Sequence, residues 1–479
     1  MNHAVIARVI GLILEIEAVC MLPSFAIALV TSGPDSSAFA FSISLCAVVG
    51  FLLLRLPQRS KRFQTRDGFV AVALCWIVLG LTGAIPYTLS GFSYVDAVFE
   101  TVSGFTTTGA TIVAAPSALP RGLQFWRALT QWMGGMGVLV MVLALLPSLG
   151  EGSVNLMKAE SPGPISSKLL PKTSETAKSL YLIYIALTLS ETVILRLAGM
   201  PLFDSLTTSF TTISTGGFSI RDASIAYYQS ELINWIIVLF MFVSGVNFGV
   251  LFQVQRRQWK EALRSEELRW YTLITLGAIG CIAADLILKA GKGVYESLSQ
   301  SAFQVVTLMT TTGYATADFD LWPYFSRMLL ILVMFVGGCA GSTAGGVKVS
   351  RLVILLKNLK RELRRILHTR EVRPLTLEGA RVAEGTVSSV SVFFFAYILI
   401  TLLCTAVVSL EEPDFTTAFT AALTTISNVG PGFSRVGPTC NFSFMTALSK
   451  VALTVTMLLG RLEIMPLLVL LFPGVWKRK

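Results

Sequence analysis

Four short segments rich in threonine and glycine recur along this chain at intervals of about 100 residues. Glycine accepts a positive φ and lets chain segments approach closely. Peptide carbonyls and threonine hydroxyls beside it offer oxygens that can replace the hydration shell of a monovalent cation. Four copies in one polypeptide predict a single pore, so ion conduction is the first functional hypothesis. These Thr/Gly segments read Phe105-Thr-Thr-Thr-Gly109, Ile213-Ser-Thr-Gly216-Gly217-Phe218, Thr310-Thr-Thr-Gly313-Tyr314 and Ser427-Asn-Val-Gly430-Pro-Gly432.

Each Thr/Gly segment follows an amphipathic stretch that is too short to cross a membrane. We interpret the four stretches as half-helices that enter and turn back, which is tolerated where the chain is buried in protein or lines water. An acid near each start is expected to cap free N–H groups, and the opposite end then carries partial negative charge that favours a cation. One such acid alone could be an ordinary helix cap, but four in matching positions favour pore helices. The stretches are 94–107, 202–214, 295–311 and 414–427, with Asp96, Asp204, Glu296 and Asp414.

The composition is not that of a soluble protein, because 53% of the residues are apolar and only 14% are charged. About ten apolar stretches have the length needed to cross a bilayer. The first is not interpreted as a cleaved signal peptide, since Glu15 and Glu17 interrupt it. The stretches lie near 5–30, 38–56, 68–90, 123–147, 178–198, 231–254, 268–290, 324–366, 385–410 and 442–472.

These patterns predict an all-α polytopic membrane protein. An N-terminal transmembrane hairpin (1–66) would precede four span–pore-helix–span repeats in a pseudo-fourfold arrangement around one pore. The repeats are predicted at 67–152, 175–258, 266–370 and 384–479.

The net charge of +10 is concentrated in alternate connections of the chain. Basic residues cluster at 55–66, 256–269, 348–381 and 477–479, whereas the connection at 31–37 has none. The positive-inside rule then predicts that both termini are cytoplasmic and that the Thr/Gly segments lie on the outer side. Binding of nucleic acid is the weaker interpretation, because each cluster occurs where a membrane orientation signal belongs.

Nothing in the sequence predicts an enzyme. No nucleophile–base pair or cofactor motif stands out, the seven cysteines are scattered without a Cys-x-x-Cys, and His3 and His368 are too few for a metal cluster.

The Thr/Gly segments resemble the four filters of the Trk/Ktr/HKT cation-transporter superfamily, as does Gln131-Trp-Met-Gly-Gly-Met-Gly137. The similarity covers essentially the whole chain, and the N-terminal hairpin is most like the membrane subunit of bacterial Trk systems. The resemblance implies that the glycine of each segment and the residues beside it contribute oxygens to an ion-binding ring. Residues assigned to this filter are Thr107, Thr108, Gly109, Thr215, Gly216, Thr312, Gly313, Asn428, Val429 and Gly430.

Potassium is the ion that this resemblance favours. A serine at the first filter glycine goes with sodium preference in plant HKT relatives, and here that residue is Gly109. Because the segments lack a Thr-Val-Gly-Tyr-Gly run, we expect weaker discrimination among potassium, rubidium and sodium than in a dedicated potassium channel.

A glycine-rich run interrupts the long apolar stretch 324–366. Five glycines within 337–346 cost a helix about 1 kcal/mol each relative to alanine and predict an unwound loop. The resemblance assigns this loop the role of an intramembrane gate beneath the filter. The residues assigned to the loop are Gly337, Gly338, Gly341, Ser342, Thr343, Gly345, Gly346 and Lys348.

Arg461 lies inside the last apolar stretch, where a charge is costly unless it is paired or faces water. It could form a simple pair with Glu463 or with another helix. The resemblance instead places it in the pore beneath the filter, as an electrostatic barrier beside the loop. Lys348 and Arg351 could join that site or mark the cytoplasmic boundary.

The resemblance also implies a homodimer in the bacterial inner membrane, in contact with lipid, that takes up K⁺ without a bound cofactor. A cytosolic nucleotide-binding subunit (ATP/ADP or NAD) would dock on the basic region 348–381. A proton- or sodium-coupled potassium symporter is the alternative, although it would need midplane acids and inverted repeats. A non-conducting membrane scaffold is a third possibility.

Overall fold

The computed structural model describes residues 2–57, 65–137, 173–368 and 374–476. Its first two helices, α1 (His3–Val30) and α2 (Ser36–Leu54), pack against each other as a helical hairpin. The two helices cross closely at Gly11 and Gly50, where a Cβ on either glycine would lie within 3 Å of the other residue's carbonyl oxygen. Small residues at such a crossing let helix backbones approach in a membrane.

After the hairpin, one order of elements occurs four times: a helix, a short helix, a Thr/Gly segment, a 3₁₀ turn and a further helix. The first set is α3 (Thr65–Thr82), with the extra α4 (Ile85–Leu89), then α5 (Tyr94–Phe105) and α6 (Arg121–Gly135). The second is α7 (Thr173–Leu197), α8 (Leu202–Ile213) and α9 (Glu231–Ser244), followed by α10 (Phe248–Gln255) and α11 (Trp259–Arg264).

The third set is α12 (Glu266–Ala290), α13 (Val294–Met309) and α14 (Tyr324–Val336), followed by α15 (Val349–Leu367). An antiparallel pair of two-residue strands, β1 (Thr376–Leu377) and β2 (Ala380–Arg381), precedes the fourth set. That set is α16 (Glu384–Val408), α17 (Phe415–Ser427) and α18 (Ala447–Arg461), and α19 (Met465–Leu470) and α20 (Pro473–Trp476) follow it. The 3₁₀ turns are Pro116–Ala118, Ser224–Tyr228, Phe319–Leu321 and Ser434–Val436.

Short helices are present at the four predicted stretches, each within a few residues of its expected bounds. These four helices, α5, α8, α13 and α17, are called the half-helices below. They form the most buried layer of the protein, and the residues at their C-terminal ends are almost entirely inaccessible to solvent. The longer helices surround them and leave large apolar side chains exposed on the outside, such as Leu189, Leu273 and Leu403. A membrane protein is expected to present such a surface to lipid.

Five helices in the described part of the chain are long and apolar enough to cross a membrane by themselves, fewer than the ten spans expected. They are Ser36–Leu54, Arg66–Leu89, Glu175–Leu197, Glu266–Ala290 and Glu384–Val408. The first apolar stretch, α1, includes Arg8, Glu15 and Glu17, and the predicted span 123–147 extends outside the described residues. So do parts of the predicted units 1–66, 67–152, 266–370 and 384–479.

Two predicted spans are broken rather than continuous. The stretch 231–254 bends by 100° between α9 and α10. There the Asn247 side chain accepts a hydrogen bond from Gly249 N at 2.7 Å, and Phe248 N donates to Gly341 O. The stretch 442–472 breaks after Arg461, since Glu463 and Ile464 have φ angles of +54° and +68°. Hydropathy averaged over a span did not reveal these breaks, because the polar residue at each, Asn247 or Glu463, lies between apolar stretches.

Candidate ion pathway

The C-terminal ends of α5, α8, α13 and α17 share one backbone turn. One residue at each of these ends has a left-handed conformation; it is the C-cap of α17 and the first residue beyond the C-cap of the other three helices. The N–H of the residue after it bonds to the carbonyl five residues earlier, as in a Schellman motif. The left-handed residues are Thr107, Thr215, Thr311 and Asn428, with φ between +55° and +58°. A positive φ is an outlier for β-branched threonine. Such outliers concentrate at functional sites, where the surrounding structure enforces them.

The same turn sets the register of the four segments. Two residues after each left-handed residue is a glycine with positive φ, namely Gly109, Gly217, Gly313 and Gly430. From the sequence, Gly216 is instead assigned to the filter as the counterpart of Gly109, Gly313 and Gly430. The structure moves the second segment by one residue, so that Gly216 corresponds to Thr108, Thr312 and Val429. Two consecutive glycines satisfy the local pattern in either register, and only the hydrogen bonds at the helix end distinguish them.

The four Thr/Gly segments contact one another in a closed cycle. A Cβ at Gly109 would overlap the carbonyl oxygen of Gly216, and a Cβ at Gly217 would overlap that of Thr312. In the same way, a Cβ at Gly313 would overlap Val429 O. The cycle closes at Gly430, where a Cβ would lie 2.8 Å from Thr108 O. A peptide oxygen therefore lies at every junction between neighbouring segments. All ten residues assigned to the filter are in this ring or directly beside it.

An open cavity lies against one side of the ring. The glycines Gly109, Gly217, Gly313 and Gly430 all line it, together with residues that follow them in each segment. Arg127 and Asp222 add charged groups to its wall. Each segment thus leads from a buried helix end, through the ring, to this open cavity, which is called the vestibule below.

The acids at the starts of the half-helices do not all cap their helices as expected. Asp414 does so, since its carboxylate accepts from Thr416 N and from Thr417 N and its hydroxyl, and the Thr417 hydroxyl lowers the pKa of this carboxyl. The other three lie within the first turn and pair with cations. These pairs are Asp96–Lys450 at 2.6 Å, Asp204–Arg221 at 2.7 Å and Glu296–Lys292 at 3.3 Å.

The predicted unwound loop is present between α14 and α15, at residues 337–348, and is called the glycine-rich loop below. It contacts the ends of three half-helices. Thr343 Oγ1 donates to Ile213 O at 3.2 Å, and Gly345 N donates to Thr311 Oγ1 at 2.8 Å. A Cβ at Gly345 would overlap Ser427 O. These partners all precede the glycines of the ring, so the loop lies on the side opposite to the vestibule.

Other residues assigned to the loop hold its shape. Gly337, Gly341 and Gly346 have φ between +71° and +77°, and Ser342 Oγ donates to Cys339 O at 2.7 Å. Gly338 packs against Ala344 and against Gly245 O.

Arg461 lies beneath the first Thr/Gly segment. Its guanidinium donates to Thr343 O of the loop at 3.0 Å, to Thr107 Oγ1 at 3.4 Å, and to the carbonyls of Gly134 and Gly135. The loop and Arg461 together therefore contact all four half-helix ends. The hydrogen bonds of Arg461 thus join α6, the first Thr/Gly segment and the glycine-rich loop.

Glu463 binds the cations at the loop's end. It pairs with Arg351, which is 4% exposed, and with Lys348 Nζ at 3.4 Å. Lys348 itself has a φ of +76°. Lys348 and Arg351 thus lie together at the end of the loop, with Glu463 as their shared partner.

Sequence reasoning missed two buried acids that hold this region. Glu267 Oε1 accepts from Ala340 N at 2.7 Å and from Ser350 N at 3.1 Å, which ties the loop and the first turn of α15 to α12. Glu100 in α5 pairs with Arg127 at 2.6 Å and accepts from Ile112 N just beyond the ring. Glu100 lies seven residues before a left-handed threonine, but only the fold reveals the backbone group that it binds.

Comparison with known proteins shows which family the chain belongs to. The family model TrkH, described as a cation transport protein, matches residues 35–474. The chain belongs to the TrkH cation transport family. Similar proteins include the Trk system potassium uptake protein TrkH of Salmonella typhimurium and that of Escherichia coli K12. Both are 38% identical to the chain, over 487 and 488 residues, and the alignments cover 100% of each sequence.

The fold is also that of a solved family member. The crystal structure of the potassium transporter TrkH from Vibrio parahaemolyticus matches with a TM-score of 0.89 at 35% identity, covering 100% of both chains. The superfamily resemblance seen in the sequence is confirmed. Because the family consists of transport proteins, the prediction that the chain is not an enzyme is confirmed as well. Family membership and the apolar helices place the chain in a membrane.

Proposed function

We propose that the chain forms a channel-like pore that passes potassium into the cell down its electrochemical gradient. The observation that carries this proposal is the closed cycle of contacts among the four Thr/Gly segments, with a carbonyl oxygen at each junction. Such oxygens can replace the water around a monovalent cation without introducing fixed negative charge. The names of the relatives support potassium as the ion.

The filter of this pore comprises the residues assigned from the sequence, with Gly217 and Thr311 added because they occupy equivalent positions in the cycle. The oxygens come from few layers of backbone, so the selectivity among potassium, rubidium and sodium is modest. A reversal potential that does not change when potassium is replaced by sodium would contradict any preference for potassium.

The glycine-rich loop and Arg461 close this pore on the side away from the vestibule. The loop contacts three half-helix ends, and Arg461 contacts the fourth. A guanidinium in the path of a cation is an electrostatic barrier, because like charges repel strongly where water is scarce. Opening the pore then requires both to move.

Uptake of rubidium into liposomes containing only the purified chain tests this function. A channel needs no coupling gradient, a symporter needs a proton or sodium gradient, and a scaffold gives no uptake. The same measurement on Arg461→Ala is the second arm, because the unaltered chain could be closed. We expect the variant to take up rubidium faster than the unaltered chain. Absence of uptake in both proteins would reject the proposed function.

We infer that the pore works in a bacterial inner membrane, with both termini in the cytoplasm, as a homodimer. The basic helix α15, which exposes Arg364 and Arg365, supports docking of a cytosolic subunit that binds ATP, ADP or NAD. Light scattering from the purified chain would contradict the dimer if it gave the mass of one chain. Cleavage of either terminus by protease added outside intact cells would contradict the orientation.

A further inference from the structure

Gln131 on α6 is hydrogen bonded to the second Thr/Gly segment on both sides of Gly217. Its Nε2 donates to Gly216 O at 2.7 Å, and its Oε1 accepts from Phe218 N at 3.0 Å. The side chain is completely buried. These partners determine the orientation of the amide. In the reverse orientation, Oε1 would face the acceptor Gly216 O and the NH₂ group would face the donor Phe218 N–H.

Three other helices present an apolar residue at the corresponding place. Tyr184 OH donates to Trp132 O of α6, and Tyr271 OH donates in the same way to Phe242 O of α9, so Trp132 and Phe242 are equivalent. The residue before each is then also equivalent, which makes Met241 the counterpart of Gln131. In α14, Phe335 packs against Tyr397 at a ring distance of 5.1 Å, which makes Met334 the counterpart.

The register of α18 comes from a close contact with a half-helix. A Cβ at Gly134 would overlap Phe105 O, and a Cβ at Gly460 would overlap Ile426 O, two residues before each left-handed residue. Met457 is therefore the counterpart of Gln131 in α18. The three methionines, like Gln131, have no accessible surface. One helix of the four thus replaces a buried methionine by an amide.

Gly216 and Gln131 are complementary in volume. A Cβ at Gly216 would overlap the Gln131 carboxamide. The equivalent residues of the other segments are larger, namely Thr108, Thr312 and Val429, and the helices behind them carry methionine. The second segment therefore pairs a glycine with the polar side chain of Gln131. Each of the other segments pairs a residue that has a side chain with a methionine.

We propose that Gln131 is a positioning residue that sets the ion selectivity of the pore, an inference that rests on the proposed function. Its two hydrogen bonds hold both peptide groups around Gly217. They also place a positive N–H dipole beside one of the four junction oxygens, Gly216 O. Within residues 2–57, 65–137, 173–368 and 374–476, no hydrogen bond is donated to the other three junction oxygens. Of the four junction oxygens that would bind a monovalent cation, Gly216 O is therefore the weakest ligand and the most rigidly held.

Without the two Gln131 hydrogen bonds, the carbonyl oxygens of the second segment can move inward to contact the smaller sodium ion. In Gln131→Met, we expect the preference for potassium over sodium to fall by about fivefold, the factor associated with one net hydrogen bond. Competition of potassium and sodium with rubidium uptake into liposomes measures this ratio. Met241→Leu is the matched control, with an unchanged ratio expected, and thermal unfolding confirms that each variant is folded.

The double variant Gly216→Thr/Gln131→Met separates hydrogen bonding from packing. It recreates the pairing of the other segments, so we expect it to regain the unfolding temperature that Gln131→Met loses while its ratio stays low. A ratio restored to that of the unaltered chain would overturn the proposal, because Gln131 would then only fill space. An unchanged ratio in Gln131→Met alone would overturn it as well. Absence of rubidium uptake in the unaltered chain and in Arg461→Ala is a different result, since it rejects the proposed function itself.

Discussion

At the scale of single residues, the threonines at the half-helix ends combine an unfavourable backbone with useful hydroxyls. Glycine would adopt the left-handed conformation of Thr311 with less strain. The hydroxyl of Thr311, however, accepts a hydrogen bond from Gly345 N, and that of Thr107 meets Arg461. The side chain thus links the ring to the elements beneath it, which offers a reason for threonine in a conformation that usually belongs to glycine.

Replacing Thr311 by valine tests this link. Valine keeps the branched shape but leaves Gly345 N without its partner, which weakens the hold on the loop by about 1 kcal/mol. We expect Thr311→Val to raise rubidium uptake into liposomes. Thr311→Ser, which retains the hydroxyl, should behave like the unaltered chain, and equal uptake in all three proteins would contradict the link.

Arg461 gives a second prediction at this scale. Arg461→Ala removes a positive charge and its hydrogen bonds to Thr343 O and Thr107 Oγ1. We expect faster uptake of rubidium, because both the electrostatic barrier and an anchor of the loop are lost. Arg461→Lys keeps the charge without the forked donors and should fall between the two proteins. If all three proteins took up rubidium at one rate, Arg461 would be structural.

At the scale of elements, the glycine-rich loop depends on close backbone contacts as well as on hydrogen bonds. A Cβ at Gly345 would overlap Ser427 O at the end of α17. We therefore expect Gly345→Ala to displace the loop and raise rubidium uptake. Gly277→Ala is the control, since a Cβ there meets nothing within 4 Å. The explanation fails if both variants behave alike.

The ion pairs at the end of the loop give a prediction about stability. Glu463 is the shared partner of Lys348 and Arg351, and all three are nearly buried. Glu463→Gln leaves both cations without this carboxylate, and we expect it to lower the free energy of unfolding by about 3 kcal/mol. Thermal unfolding in detergent measures the change. Glu384→Gln removes an exposed partner of Arg361 and should leave the unfolding temperature unaltered; an equal loss in both variants would contradict this account.

At the scale of the whole molecule, the ring exists only because segments far apart in the chain meet. The Gly109 contact is with Gly216 in the next segment, so a side chain at Gly109 would disturb its neighbour as well. We expect Gly109→Ser to lower the preference for potassium over sodium, measured by competition with rubidium uptake. Gly91→Ser is the control, because Gly91 has a φ of +101° with nothing within 4 Å of a Cβ. A ratio that changes equally in both variants would point to backbone strain rather than the ring.

Much of the architecture could be predicted from local patterns. The half-helices and the unwound loop depend on hydrophobic periodicity and glycine content within about 15 residues, which the sequence displays directly. The bend between α9 and α10 could not be predicted in this way. It depends on the Phe248 N bond to Gly341 O, and these residues are far apart in the chain.

The sequence by itself determined the membrane class, the four Thr/Gly segments and the residues available for an ion site, because composition and short spacings carry that information. The tertiary structure decided the register of Gly216 and Gly217, the partners of Arg461 and Glu463, and the contact of Gln131 with the second segment. Each of these depends on hydrogen bonds or ion pairs between groups distant in sequence. Residue types restrict which pairs are possible, but only packing brings a particular pair together.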